Sequence, residues 1–168
     1  HHLQGALTKE LTDLPKFRQQ AYISAFGEGW GLYCEKLAKE VGFYQDPYAD
    51  FGRLTYEMWR AMRLVVDTGM HAMGMSREEA IQLMEDNTAL SKHNVRTEID
   101  RYIAWPAQAL SYKLGEIKIW QLRLKAEQAL GAQFDIRTFH DALLSSGSVP
   151  LNVLEKIIDQ YIIDQQKS

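Results

Sequence analysis

At 168 residues the chain is long enough for one domain with a sizeable core. Its 46% hydrophobic and 24% charged residues are ordinary globular material, and a net charge of -3 gives no electrostatic footprint for nucleic acid or an anionic membrane. The single cysteine, Cys34, excludes an internal disulfide, and no run approaches the ~20 apolar residues of a membrane-spanning helix.

Hydrophobic periodicity is helical throughout and predicts an all-α fold of about seven helices, one domain over residues 1–168. The first helix covers about residues 2 to 12 and stops near Asp13-Leu14-Pro15. A second runs from Lys16 to Val41, with Pro15 in its first turn and Gly42 as its C-cap. Gly27, Gly29 and Gly31 fall in its middle, where each costs about 1 kcal/mol relative to alanine, so something must pack closely there. Asp46 caps a third helix over 47–73. Ser76 and Glu79 form a capping box that opens a short helix to about Glu85. A loop and a helix follow to Trp105. Pro106 interrupts, a long helix reaches Leu130 before Gly131, and two more helices cover 135–144 and 151–165.

Several side chains could carry chemistry. The chain opens His1-His2-Leu3-Gln4, and Glu28 lies in Gly27-Glu28-Gly29-Trp30-Gly31-Leu32-Tyr33. Terminal histidines can be a tag remnant, but the helical Leu3-Gln4-Gly5-Ala6-Leu7 that follows is not tag-like. The functional reading makes one imidazole a zinc ligand. Glu28 is flanked by glycines and by apolar Phe26, Trp30, Leu32 and Tyr33, so its carboxylate needs a partner, and a cation is one solution. Glu35, seven residues on, is the alternative ligand or a supporting group.

Arg63, Asp67 and His71 share a helix face at four-residue steps. Asp67 could hold His71 in one tautomer or pair with Arg63, and His71 could face a developing oxyanion. Tyr112, with Gln108 on its face, could donate to a tetrahedral intermediate. His93 and His140 read as surface or packing residues, Cys34 as inert packing. Met58, Met62, Met70, Met73 and Met75 with Trp59 read as core filler.

These segments resemble the bacterial family known as domain of unknown function 885, placed among gluzincin-type metallopeptidases. Its members carry a stretch like His-Glu-x-x-Pro-Gly-His-His-Leu-Gln, then Glu-Gly-Trp-x-Leu-Tyr-x-Glu. Arg-Leu-Val-x-Asp-x-Gly-x-His and Arg-Tyr-x-x-x-Pro-Gly-Gln-Ala-x-x-Tyr-x-x-Gly follow. The chain matches at His1-His2-Leu3-Gln4, at Glu28-Gly29-Trp30 through Tyr33 and Glu35, and at Arg63-Leu64-Val65 through Asp67, Gly69 and His71. It matches again at Arg101-Tyr102, Pro106, Gln108-Ala109, Tyr112 and Gly115, with Ala107 in place of the family's glycine.

The resemblance implies a zinc-dependent peptidase acting on a peptide substrate. His1, with His2 as the alternate, and Glu28 would be metal ligands. His71 and Tyr112 would stabilise the transition state, and Arg101 or Tyr102 would orient substrate. The His-Glu half of the motif, one ligand and the general base, would lie in an N-terminal part of the same protein. The chain is then expected to be the C-terminal part of a larger catalytic domain, inactive alone and prone to self-association through an exposed apolar face. Many relatives look exported. The competing expectation is a non-catalytic helical module for binding or assembly that keeps the fold.

Overall fold

The computed structural model describes residues 1–167. Nine α-helices and two short 3₁₀ turns, with no strand among the described residues, make it all-α as the periodicity requires. The helices are α1 His2–Glu10, α2 Lys16–Gln20, α3 Ser24–Glu40, α4 Pro47–Ala72, α5 Arg77–Asn87, α6 Lys92–Ala104, α7 Ser111–Leu130, α8 Ile136–Leu144 and α9 Leu151–Gln165. None is long and apolar enough to cross a membrane.

The helical segments read from the sequence number eight; the ninth helix arises because residues 16–41 are not one helix. Ala21 is extended (φ -66°, ψ 132°), and the Ile23 amide donates to Ser148 Oγ at 2.7 Å instead of to a preceding turn. No glycine or proline marks that break; a side chain more than a hundred residues away makes it. Local signals placed the other ends. Asp46 accepts from the Tyr48 amide, Ser76 and Glu79 form the reciprocal capping box, and Gly42 takes φ 82° beyond the end of α3.

Contacts divide the chain into two compact units. Unit 1 holds residues from His1 to Tyr33 and from Leu114 on; unit 2 runs from Cys34 to Lys113. In unit 1, α3 and α7 meet backbone to backbone: a Cβ at Gly29 would fall against the Gly115 Cα. Of the mid-helix glycines, Gly29 answers to helix packing, whereas Gly27 leaves room for the Tyr22 side chain and Gly31 for His1. An aromatic group sits in the same unit, with Tyr33 fully buried and its hydroxyl 2.7 Å from His140 Nε2. The Trp30 ring stacks on that of Tyr33, and Trp30 meets the His140 ring edge-on. His140 is thus a packing residue, while His93 is exposed.

The core of unit 2 is formed by Met62, Val66, Met84, Val95, Ile99 and Tyr102 among others. Trp59, Met70 and Met75 pack against it. Met58 (48% exposed) and Met73 (80%) do not, which corrects their reading as core filler: Met58 lies on the exposed face of α4 with Tyr48, Phe51 and Val65, and Met73 just past its end. Cys34 is half-buried, and burial pushes its thiol up to about 11, so it stays a protonated packing group at neutral pH.

Candidate functional site

The expected ligand residues fall in unit 1. His1 stands just before α1, and its Nε2 lies 3.3 Å from the Glu28 Oε2 on α3. The imidazole is largely exposed and the Glu28 side chain only 15% so. Gly31, one turn beyond Glu28, makes room for the ring: a Cβ there would lie 2.8 Å from His1 Nε2. His2 is the first residue of α1 and is exposed. Glu35 falls in unit 2.

His1 and Glu28 border a cleft of about 390 Å³, a size suited to a small ligand. Gln4, Gln19, Tyr22 and Ser148 also line it. Gln4 is 8% exposed, and its Nε2 has no hydrogen-bond partner. No group of three or more His, Cys, Asp or Glu side chains able to hold a metal occurs among the described residues. The pair nevertheless fits part of one: two donor atoms about 2.0–2.1 Å from a tetrahedral zinc lie about 3.3–3.4 Å apart.

The other expected residues fall in unit 2. His71, on the last turn of α4, is exposed, and its Nε2–H donates to the Tyr102 carbonyl at 3.1 Å. That bond fixes the tautomer. Asp67 does not, which corrects the pairing read from the four-residue spacing. Nor does Asp67 pair with Arg63. It is 2% exposed and accepts the Ala107 amide at 3.1 and 3.2 Å on its two oxygens. Ala107 has φ 67°, the left-handed region that glycine favours, which explains why the family pattern carries glycine there. Alanine takes the conformation anyway, with the buried Asp67 carboxylate holding its amide.

Tyr102 is 1% exposed, and its hydroxyl accepts from Arg63 Nε at 2.7 Å and from Trp59 Nε1 at 3.0 Å. Burial pushes its pKa up to about 12, so the phenol stays protonated. Arg63 also donates to Glu98 at 2.9 Å, and Arg101 donates to the same Oε2 at 2.8 Å. Burial alone would raise the Glu98 pKa, but hydrogen bonds from Arg101 and Tyr102 outweigh it and hold the carboxyl below its usual range. Arg101 reaches Gln108 at 3.2 Å as well. Tyr112 is half-buried, and Arg60 and Arg63 lie over its ring. Sequence reading passed over Arg60, which belongs to no motif; its only signal is its place one turn before Arg63 amid Tyr56, Trp59 and Tyr112.

Residues 1–158 match the family described as bacterial protein of unknown function, DUF885. The chain belongs to that family. It resembles a solved structure from Colwellia psychrerythraea, described as a "putative lipoprotein", with 46% identity and a TM-score of 0.96 over 98% of this chain. A "putative lipoprotein of unknown function" from Shewanella oneidensis shares 25% identity, with a TM-score of 0.87 over 94% of the chain. The match covers only 28% and 29% of those two proteins. No curated protein matches.

Proposed function

We infer that this DUF885 chain is the C-terminal part of a zinc-dependent peptidase in which His1 and Glu28 are two of the metal ligands. The approach of the His1 Nε2 to the Glu28 carboxylate at 3.3 Å carries the reading, because a side chain 27 positions away and a glycine at 31 cooperate to make it. Zinc at such a site supplies a Lewis acid that polarises a carbonyl and brings water to a pKa near about 7. The chain's own residues hold and orient. Glu28, largely shielded beside the cleft, holds its Oε2 next to the His1 Nε2, so the two would present one oxygen and one nitrogen to the same ion. A peptide occupies the cleft bordered by His1 and Glu28, where the free Gln4 amide donates to a backbone carbonyl.

As the family resemblance implies, His71 and Tyr112 would be oxyanion donors, a role worth about 3 kcal/mol each in comparable sites. His71 must give up the Tyr102 carbonyl to do so, which costs about 1 kcal/mol, less than it contributes. Arg101 and Tyr102 position rather than react, through Glu98 and Gln108. The third ligand and the general base come from an N-terminal part of the polypeptide, consistent with solved relatives of which this chain covers less than a third. The same part covers the apolar stripe of α4. The full protein is exported, as the lipoprotein description of both relatives supports.

Metal analysis tests the reading on a polypeptide of the relatives' length. About one zinc per chain, lost on Glu28→Ala, is expected, with no peptidase turnover by the 168-residue chain alone. A full-length protein that holds no metal would replace the enzyme with a non-catalytic helical module. That second reading draws on the hydrogen bonds that occupy His71, Arg101 and Tyr102.

A further inference from the structure

Unit 2 holds a pair of cations that none of these roles uses. Arg60 and Arg63 lie one helical turn apart on α4, and aromatic rings flank both. The Arg60 Cζ is 4.8 Å from the Tyr56 ring centroid, 4.7 Å from that of Trp59 and 5.6 Å from that of Tyr112. The Arg63 Cζ is 4.3 Å from Trp59 and 4.7 Å from Tyr112. The two guanidiniums therefore share two rings, and cation–π attraction holds like charges together that would otherwise separate.

Each guanidinium is left with an unfilled donor. Arg63 is 3% exposed; it spends Nε on Tyr102 and Nη2 on Glu98, and its Nη1 is buried with no acceptor. Arg60 is half-buried. Its Nη1 reaches the Tyr56 carbonyl only at 3.4 Å, its Nε is buried with no acceptor, and no carboxylate pairs with it among the described residues. Burial lowers the Arg60 pKa, the Glu35 charge opposes that, and the Arg63 charge adds to it. A buried, unpaired N–H is costly, and more so when it is charged. Two such donors in adjacent turns, one on Arg60 and one on the Glu98-paired Arg63, leave buried N–H groups that an anionic oxygen would fill.

We propose that Arg60 and Arg63 form a binding site for the carboxylate of a ligand, walled by Trp59 and Tyr112. The chemistry selects a carboxylate over a phosphate. Arg63 Nη1 carries two unfilled N–H groups and Arg60 Nε one, and the single charge of a carboxylate suits a pair in which Glu98 already partners Arg63. Tyr56 is 50% exposed and Arg60 half-buried, so this side of the cluster borders solvent. The donors are screened from water, and a hydrogen bond made there is stronger than one made at the surface. The site stands whether or not His1 and Glu28 take a metal.

Nuclear magnetic resonance of the 168-residue protein tests it, following the Nε–H signals of Arg60 and Arg63 and the Trp59 indole. Acetate, acetamide and inorganic phosphate are titrated separately at constant ionic strength. Acetate is expected to give saturable shifts confined to these groups, acetamide none. Arg60→Gln, with its helical circular dichroism unchanged, is expected to weaken acetate binding at least tenfold. Three results overturn the proposal: no saturable shift with acetate, the same saturation in Arg60→Gln, or phosphate saturating at lower concentration than acetate.

Discussion

Replacing Gly115 by alanine sets two effects of opposite sign against each other. Gly115 lies inside α7, where alanine is intrinsically the better helix former by about 1 kcal/mol. A Cβ at this position, however, would fall on the Ala25 carbonyl oxygen and 2.7 Å from the Gly29 Cα. Both neighbours are backbone, so no rotamer change relieves the overlap, and α3 would have to withdraw from α7 by about 1 Å or more to reach ordinary carbon contact distances. Overpacking of this kind costs about 3 kcal/mol at the upper end of the usual range. The net expectation is a loss of about 2 kcal/mol, which for a chain of this length lowers the melting temperature by about 4–8 °C. Thermal unfolding followed by circular dichroism measures it. Gly52→Ala is the control: it also lies in a helix, a Cβ there meets nothing within 4 Å, and the melting temperature is expected to rise by about 2–4 °C. If Gly115→Ala melts at or above the parent temperature, the close approach of α3 and α7 is wrong.

Other outcomes follow from single positions. Ala107→Gly relieves a left-handed alanine worth about 1–2 kcal/mol and loses about 0.4–1 to chain entropy, so a gain of about 0.5–1 kcal/mol is expected in urea denaturation; a loss would mean the Asp67 bond had relaxed the strain. Gly31→Ala meets only the mobile end of His1, so stability should hold or rise while zinc retention by the full-length protein falls; unchanged retention would argue against His1 as a ligand. Tyr102 has a raised pKa, so the stability tied to its neutral form is complete below pH 10 and lost as pH rises toward about 12. Ultraviolet titration should show one tyrosine ionising last, and Tyr102→Phe should remove that step. Sedimentation of the 168-residue chain should show self-association through α4, reduced by Met58→Lys with Val65→Lys; a monomeric parent chain would count against the apolar stripe as a contact surface.

Helix ends were legible wherever a side chain caps its own backbone. Asp46, Ser76 with Glu79, and Gly42 each act within a few residues, so their pattern survives in one dimension. The same holds for the three glycines of α3, whose crowding announces close contact without naming the partner. It fails at Ala21, where the helix stops and Ser148 takes the Ile23 amide, and at Met58 and Met73, whose helical spacing is that of core residues although they are exposed. Spacing also misassigned Asp67. Four-residue steps put it beside Arg63 and His71, but the buried carboxylate turns to the amide of Ala107, forty residues on.

The candidate site divides along the same line. Composition, the motif residues His1, Glu28, His71, Arg101, Tyr102 and Tyr112, and the all-α class all came from the order of residues, because each depends on residue type or on neighbours along one helix. The tertiary structure decided which of them meet. It set His1 against Glu28 across a glycine, occupied His71, Arg101 and Tyr102 with fixed partners, and left buried donors on Arg60 and Arg63 without acceptors. An unpaired donor is a property of what surrounds it, and those surroundings come from helices distant in the chain that only folding brings together.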